Sequence, residues 1–325
     1  MARPLPSWHG FVGQRKVVES LKRHCRGALE KSKPMLHTLL GGPSGIGKTH
    51  LAHAVAAEME TGLVEFYSAR SSKRIELVER LGALKKPGDV VFIDEIHALP
   101  VDCQEILYPA IDELKIPKID GDKRKQVSSD AWVAIPPFTL IAATDQHGQL
   151  LNALGRRLPL KWTLGWYSDT EMRQIVFNRA TELGVLLNEQ ACTRLAKSAK
   201  GAPRRARHLL ESLHLVMPVT DRPLTKPEIV RFLLESQGMD DNNLTSIDHA
   251  YLDALRKNPV LSLQNIARQL GLDMKAVCRD IEEYLIRRGL IVIGSQGRRL
   301  TEDGLALAGG AHESGCHRPP DDRCD

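Results

Sequence analysis

The stretch "GGPSGIGKTHLAHAV", residues 41–55, sets glycines, a lysine and a threonine at fixed spacing where an apolar run turns helical. Within it, "GPSGIGKT" (42–49) satisfies G-x-x-x-x-G-K-[ST], the pattern of a phosphate-cradling loop. Gly42, Gly45 and Gly47 permit a tight loop whose backbone N–H groups aim at phosphate oxygen, aided by the N-terminus of the next helix. With Pro43, Ser44, Ile46 and His50 they make the expected nucleotide-binding segment. Lys48 would reach the β- and γ-phosphates, and the Thr49 hydroxyl would ligate Mg²⁺.

Outward from this loop the first half alternates short apolar runs with helical patterns. Strand-like runs fall at 36–42, 62–69, 89–94, 138–144 and 159–166, and Leu51, Ala52, Val55, Ala56 and Met59 carry the helical period after the loop. Strands apolar on both faces and separated by helices predict an α/β fold with a parallel sheet covered on both sides. The stretch "VVFIDEIH" (90–97) then supplies the loop's chemical partner. Four apolar residues bury the strand, so Asp94 and Glu95 emerge at its carboxyl end, beside the phosphate loop. Asp94 is expected in the Mg²⁺ shell, and Glu95 is expected to polarise the attacking water. Those residues define a nucleoside triphosphatase without choosing its base. No N-K-x-D guanine-reading stretch is present.

Past Ser168 the strand signal stops. "SDTE" (168–171) and "TKPE" (225–228) read as capping boxes, and between them Ala206, Leu209, Leu210, Leu213, Val216 and Met217 share a helix face. "GMDDNNLTS" (238–246) is polar and turn-rich and reads as a linker. After it come three helical segments, the second capped by Ser262 and stopped by Gly271, the third capped by Asp273 and stopped by Gly289. "LIVI" and "RRLT" flanking "GSQG" then form a hairpin, which completes a winged helix. The expected organisation is a P-loop domain over 1–166, a small helical lid over 167–238, a winged helix over 239–308, and a disordered tail over 309–325.

Composition narrows the class. The 325 residues carry 45 Lys+Arg against 40 Asp+Glu, a formal charge of +5 that tolerates a polyanionic partner without demanding one. Only 5% are aromatic, too few for broad stacking platforms. The six cysteines form no C-x-x-C pair, and four fall in helical segments where a small buried thiol is expected. No signal or spanning segment is recognisable, so the expected location is cytoplasmic.

The order of motifs resembles the RuvB family of Holliday-junction branch-migration ATPases, within the AAA+ superfamily. The resemblance runs from about Arg3 to Leu307 through "GFVGQRKVVESLK" (10–22), the phosphate loop, "GDVVFIDEIHAL" (88–99) and "EILYPAIDE" (105–113). It continues through "PPFTLIAATD" (136–145), "GAPRRARHLLE" (201–211) and "EEYLIRRGLIVIGSQGR" (282–298). It implies an ATP- and Mg²⁺-dependent motor on four-way DNA junctions, acting in recombination and repair as a hexameric ring. On matching positions, Thr144 would be sensor 1, Arg204 sensor 2, and Arg157 the arginine finger offered to the neighbouring subunit. Phe11, Val12 and Tyr167 match the adenine pocket, although Tyr167 also reads as a plain core aromatic.

Two departures from the family bear on those roles. Where it typically reads Leu-Arg-Asp-Arg-Phe-Gly, this chain has Leu154-Gly155-Arg156-Arg157-Leu158-Pro159, so the finger is Arg157 or, after a shift, Arg156. The hairpin that docks on the partner RuvA in the family is here basic (Lys118, Lys123, Arg124, Lys125), with Trp132 and Val133 as its apolar contacts. It would meet an altered RuvA-like partner, touch nucleic acid, or stay solvated. In the winged helix, Asp280, Glu282 and Glu283 disfavour base reading by the third helix, leaving Arg287, Arg288, Arg298 and Arg299 for the DNA backbone. A protein-docking winged helix is the other reading of that module. A clamp-loader-like ATPase or a slow DNA-binding switch are the alternatives for the whole chain.

Overall fold

The computed structural model describes residues 8, 10–68, 74–120, 126–146, 152–217 and 221–309. The first residues of the family resemblance, the basic loop residues Lys123, Arg124 and Lys125, and the tail with Cys316 and Cys324 lie outside the described residues. The chain divides into two compact units, residues 1–187 with 195–223 and residues 188–194 with 224–325.

The first unit opens with α1 (Arg15–Glu30), β1 (Thr38–Gly41), α2 (Lys48–Glu58), β2 (Leu63–Tyr67), α3 (Arg74–Gly82) and β3 (Val90–Asp94). It continues with α4 (Val101–Asp112), the strands β4 (Lys115–Asp120), β5 (Gln126–Ala134) and β6 (Thr139–Thr144), then α5 (Asn152–Arg156) and β7 (Leu160–Thr163). α6 (Asp169–Glu182) follows, the division of the chain falls within α7 (Glu189–Ser198), and α8 (Pro203–Val216) returns to the first unit.

Five strands, the five expected from sequence, form one parallel sheet in the order β2-β3-β6-β1-β7. Val90, Val91, Phe92 and Ile93 are fully buried, as are Leu140, Ala142 and Ala143 on β6, which is what a sheet covered on both faces requires. Leu77, Leu81, Ile106 and Leu107 from α3 and α4 join Val91, Ile93 and Leu140 in one cluster. Register then fixes function. Gly41 lies opposite Thr144 and Tyr67 opposite Asp94, so the carboxyl ends of these strands meet along one edge.

The capping box at α6 forms as expected: the Glu171 amide donates to Ser168 Oγ at 3.3 Å, and the Ser168 amide donates to Glu171 Oε2 at 2.9 Å. On α8, Ala206, Leu209, Leu210 and Leu213 are buried, but Val216 is 56% exposed. The apolar stripe there stops a turn earlier than its sequence suggested, because α8 ends at Val216. The hairpin β4–β5 stands apart from the central sheet, with Ile116 buried in the core beside α3 and α4. Trp132 and Val133 are both exposed, and the Lys115 ammonium sits 5.0 Å over the Trp132 ring.

The second unit contains α9 (Lys226–Gln237), α10 (Ser246–Lys257), α11 (Leu263–Leu270) and a third winged-helix segment. That segment is continuous but irregular: α12 (Met274–Ala276), a π-helical stretch over Val277–Glu282, then α13 (Glu283–Arg287). The wing is β8 (Ile291–Gly294) paired antiparallel with β9 (Gly297–Leu300), and α14 (Glu302–Gly309), which the sequence reading did not separate, closes the unit. Leu252, Leu255, Ile266, Val277, Ile281 and Leu285 form its core.

The segment expected as a linker is instead folded. Met239 pairs with Thr245, Met239 and Leu244 are buried, and the buried Arg194 guanidinium holds the Asn243 side chain and the Asp240 carbonyl. Its polar residues look like a tether in sequence because their partner lies 46 to 49 positions upstream. Of the six cysteines, Cys25, Cys103 and Cys192 are buried and Cys278 is half-buried, and none of these four is in a disulfide.

Candidate nucleotide and nucleic-acid sites

The phosphate loop leaves β1 at its carboxyl end and enters α2, with Gly42, Gly45 and Gly47 at φ of 129°, 80° and 107°. Gly45 has a second constraint. A Cβ there would meet the Arg204 Cβ at 2.9 Å, so α8 lies directly against the loop. The Arg204 amide donates to the Gly45 carbonyl at 3.2 Å, and its guanidinium reaches Ser44 Oγ at 3.0 Å. The residue read as sensor 2 thus already touches the loop through both backbone and side chain.

Lys48 is buried, its ammonium donating to the carbonyls of Gly42 at 2.6 Å and Pro43 at 3.0 Å. Burial lowers its pKa against the pull of Glu95, Asp94 and Asp145, whose carboxylates face it. On the loop's other side, Tyr167 donates its hydroxyl to the Ile46 carbonyl at 3.1 Å. A Cβ at Gly13 would lie 2.8 Å from the Tyr167 ring, so the segment carrying Phe11 and Val12 is pressed onto it. Phe11 and His50 stand with ring centroids 5.3 Å apart. Residues expected around a base and a triphosphate are therefore gathered about one loop.

At the end of β3, Glu95 adopts φ 51° and ψ 49°, a left-handed conformation that a non-glycine residue holds at a cost of about 1–2 kcal/mol. That backbone aims its carboxylate back along the sheet edge. Glu95 Oε2 lies 3.3 Å from His97 Nδ1, and the same nitrogen is 3.0 Å from the buried Thr144 Oγ1. Asp145 completes the group: Glu95, His97 and Asp145 present ligand atoms within 4.8 Å of one another. Burial, followed by the Asp145 and Asp94 carboxylates, outweighs Lys48 and pushes the Glu95 carboxyl up to about 7. So much negative charge around one ammonium is an environment that a divalent cation would offset. The oxygen donors of Asp94 and Thr49 are of the hard type that Mg²⁺ prefers.

His97 and Asp145 are the residues that sequence reasoning missed. Each is a direct neighbour of an expected residue, two positions after Glu95 and one after Thr144. Only the 3₁₀ turn over Ile96–Ala98, which folds His97 back toward β6, brings them together.

Arg157 follows α5 on the same unit. Its Nε and Nη2 donate to Asp112 Oδ2 at 2.8 and 2.6 Å, its Nη1 donates to the Ala153 carbonyl at 3.0 Å, and its guanidinium lies 4.6 Å over the Tyr108 ring. Arg156, the other finger candidate, is exposed beside it.

In the winged helix the four arginines separate. Arg287 and Arg288 sit 5.8 Å over the Tyr284 ring, and Arg288 also donates to the Asn242 carbonyl at 2.9 Å. Arg299 is exposed on the wing and reaches Gln296 Oε1 at 2.6 Å. Arg298 differs from the expectation of a backbone-contacting residue. Its Nε and Nη2 grip Glu282 at 2.8 and 3.1 Å, and Tyr251 donates to the same carboxylate at 2.8 Å. The π-helical stretch ends at Glu282 and leaves its side chain 3% exposed. Glu282 is therefore not a surface acid repelling phosphate, as its sequence position suggested, but the anchor of the wing.

Burial alone would raise the Glu282 pKa, yet the hydrogen bonds from Arg298 and Tyr251 outweigh it and hold the carboxyl below its ordinary value. A depressed carboxyl contributes stability above its unfolded pKa, and that contribution disappears as pH falls through the folded value. Arg298→Ala should leave a buried carboxylate without its partner and cost about 3 kcal/mol at neutral pH, measured by urea unfolding. The loss should shrink in acid.

A parallel sheet with a phosphate loop after β1, an acidic pair at the end of β3 and a buried threonine at the end of β6, the strand between them, defines a P-loop nucleoside triphosphatase, here followed by a winged helix. The family comparisons specify it further. Residues 3–164 match the family described as Holliday junction DNA helicase RuvB P-loop domain, and residues 241–308 match the RuvB C-terminal winged helix domain. The chain belongs to the RuvB family of ATPases. It is 33% identical over 299 residues to the Holliday junction branch migration complex subunit RuvB of Neorickettsia sennetsu, covering 91% of this chain and 89% of that one. The Campylobacter fetus protein of the same description is 32% identical over 308 residues, covering 94% and 89%. Among solved structures, the Thermotoga maritima RuvB Holliday junction branch migration motor aligns with TM-score 0.78 at 29% identity, covering 94% of this chain and 97% of that one.

Proposed function

We propose that this chain is an ATP-driven motor that migrates four-way DNA junctions, working as a ring in which each hydrolytic site is completed by the next subunit. The observation that carries the reading is the convergence of Lys48, Asp94, Glu95, Thr144 and Arg204 about one loop in a chain of this family. Lys48 and the loop amides bind the triphosphate, and Phe11, Val12 and Tyr167 border the base. Thr49 and Asp94 would hold Mg²⁺, which neutralises phosphate charge when bound. Glu95 takes a proton from the attacking water, Thr144 orients that water or the γ-phosphate, and Arg157 is the cation offered across the subunit boundary. Arg204 ties the loop to α8, the helical lid of the expected 167–238 module.

Arg287, Arg288 and Arg299 suit contact with the DNA backbone, which a motor on arbitrary duplex needs. Arg299→Ala should weaken duplex binding evenly across sequences and reduce the salt slope by about 1, while leaving the unfolding midpoint unchanged. The exposed Trp132 and Val133 on β5 support the hairpin as the docking surface for a RuvA-like partner. No helix among the described residues is long and apolar enough to cross a membrane.

Migration of a synthetic four-way junction by the purified chain with ATP and Mg²⁺, with and without a RuvA-like protein, tests the reading. Strand exchange that needs ATP is expected. ATP turnover without migration under either condition would reject the motor in favour of a loader-like ATPase. Lys48→Ala should abolish both activities and weaken nucleotide binding, followed by fluorescent-nucleotide titration, because the phosphates lose their buried cation. Unchanged affinity would remove the loop from the mechanism.

A further inference from the structure

One helix connects the two halves of the catalytic machinery. α4 begins at Val101, six residues after Glu95, and ends at Asp112, the carboxylate that holds Arg157. Tyr108, one turn earlier on α4, supplies the ring beneath the same guanidinium. An arginine side chain has five N–H donors in a planar fork. Asp112 takes the Nε donor and one from Nη2, and the Ala153 carbonyl takes one from Nη1. Two donors, one on each terminal nitrogen, remain for an oxyanion without disturbing the Asp112 pair. The side chain is 29% exposed, enough to be reached from outside the protomer.

We propose that Asp112, with Tyr108, is the positioning residue of Arg157, bracing the guanidinium so that its outer edge is presented ready-made to the triphosphate of the neighbouring subunit. The inference rests on the reading of Arg157 as a cation acting in trans. A free arginine samples many rotamers, and a carboxylate on one edge with an aromatic face below removes most of that freedom. The pair would therefore act on hydrolysis in the adjacent site while leaving nucleotide affinity in its own protomer untouched. It also places the brace on the element that leaves the Glu95 turn.

Asp112→Asn keeps the shape of the side chain and removes the charge. Its surface position predicts an unchanged urea midpoint, and kcat for ATP should fall by about 10²-fold, as for a misplaced catalytic group, with ATP affinity unaltered. Mixed rings locate the defect. Asp112→Asn subunits combined with Glu95→Gln subunits should regain activity, because the variant's own intact pocket then receives a braced arginine from its neighbour. Arg157→Ala mixed with Glu95→Gln is run alongside. Rescue of Arg157→Ala but not of Asp112→Asn, or full activity of Asp112→Asn alone, would overturn the brace and leave the trans reading standing. Failure of Arg157→Ala to be rescued would overturn the trans reading, and the brace with it.

Discussion

Glu95→Gln should hold ATP without consuming it. The amide matches the carboxylate in size but cannot accept the proton of the attacking water, and a positioned base contributes about 10²–10⁴-fold. Turnover should fall by that factor while nucleotide affinity is kept or rises, because one negative charge near the phosphates is removed. The surroundings of Glu95 strengthen the expectation. Its backbone is held at φ 51°, and its carboxylate lies beside His97, which contacts Thr144 in turn. Such strain is retained where geometry matters more than local stability. Single-turnover hydrolysis with bound radiolabelled ATP separates chemistry from binding, and an unchanged rate would reassign the base.

Much of this site is legible in the sequence because its parts are local. A glycine loop between strand and helix, or two acids ending an apolar run, carries its meaning within about ten residues. The inner strands follow from local runs, since β1, β3 and β6 are buried on both faces and read as apolar sequence, whereas the edge strands β2 and β7 are part-buried and carry Glu65 and Lys161. What escapes is every interaction that depends on a distant partner. Glu282 reads as a surface acid on a DNA-facing helix until the π-helical stretch turns it toward Arg298, sixteen residues on. The turn at 238–246 reads as a tether until Arg194 is placed against it. Asp112 is an unremarked acid at a helix end, and its pairing with Arg157 spans 45 positions. Polar residues carry no record of the partner they will meet, whereas an apolar strand declares its burial by composition alone.

Arg157→Ala should reduce ATP turnover by about 10³–10⁵-fold, the range that an arginine finger contributes in other triphosphatases. The transferring phosphoryl group gathers negative charge on its equatorial oxygens, and the two outer N–H donors of the guanidinium are suited to meet it. Because those donors face away from Asp112, the loss should appear in kcat and leave ATP binding in the same protomer intact. The basal rate of the parent chain should then rise steeply with protein concentration, since a pocket lacking its neighbour's cation is nearly silent. Sedimentation and ATPase assays over one dilution series check both consequences together. A rate per subunit that stays constant down to the monomer would show that the cation comes from within the protomer. In that case Arg204, already bonded to Ser44 of the phosphate loop, would be the group to replace next.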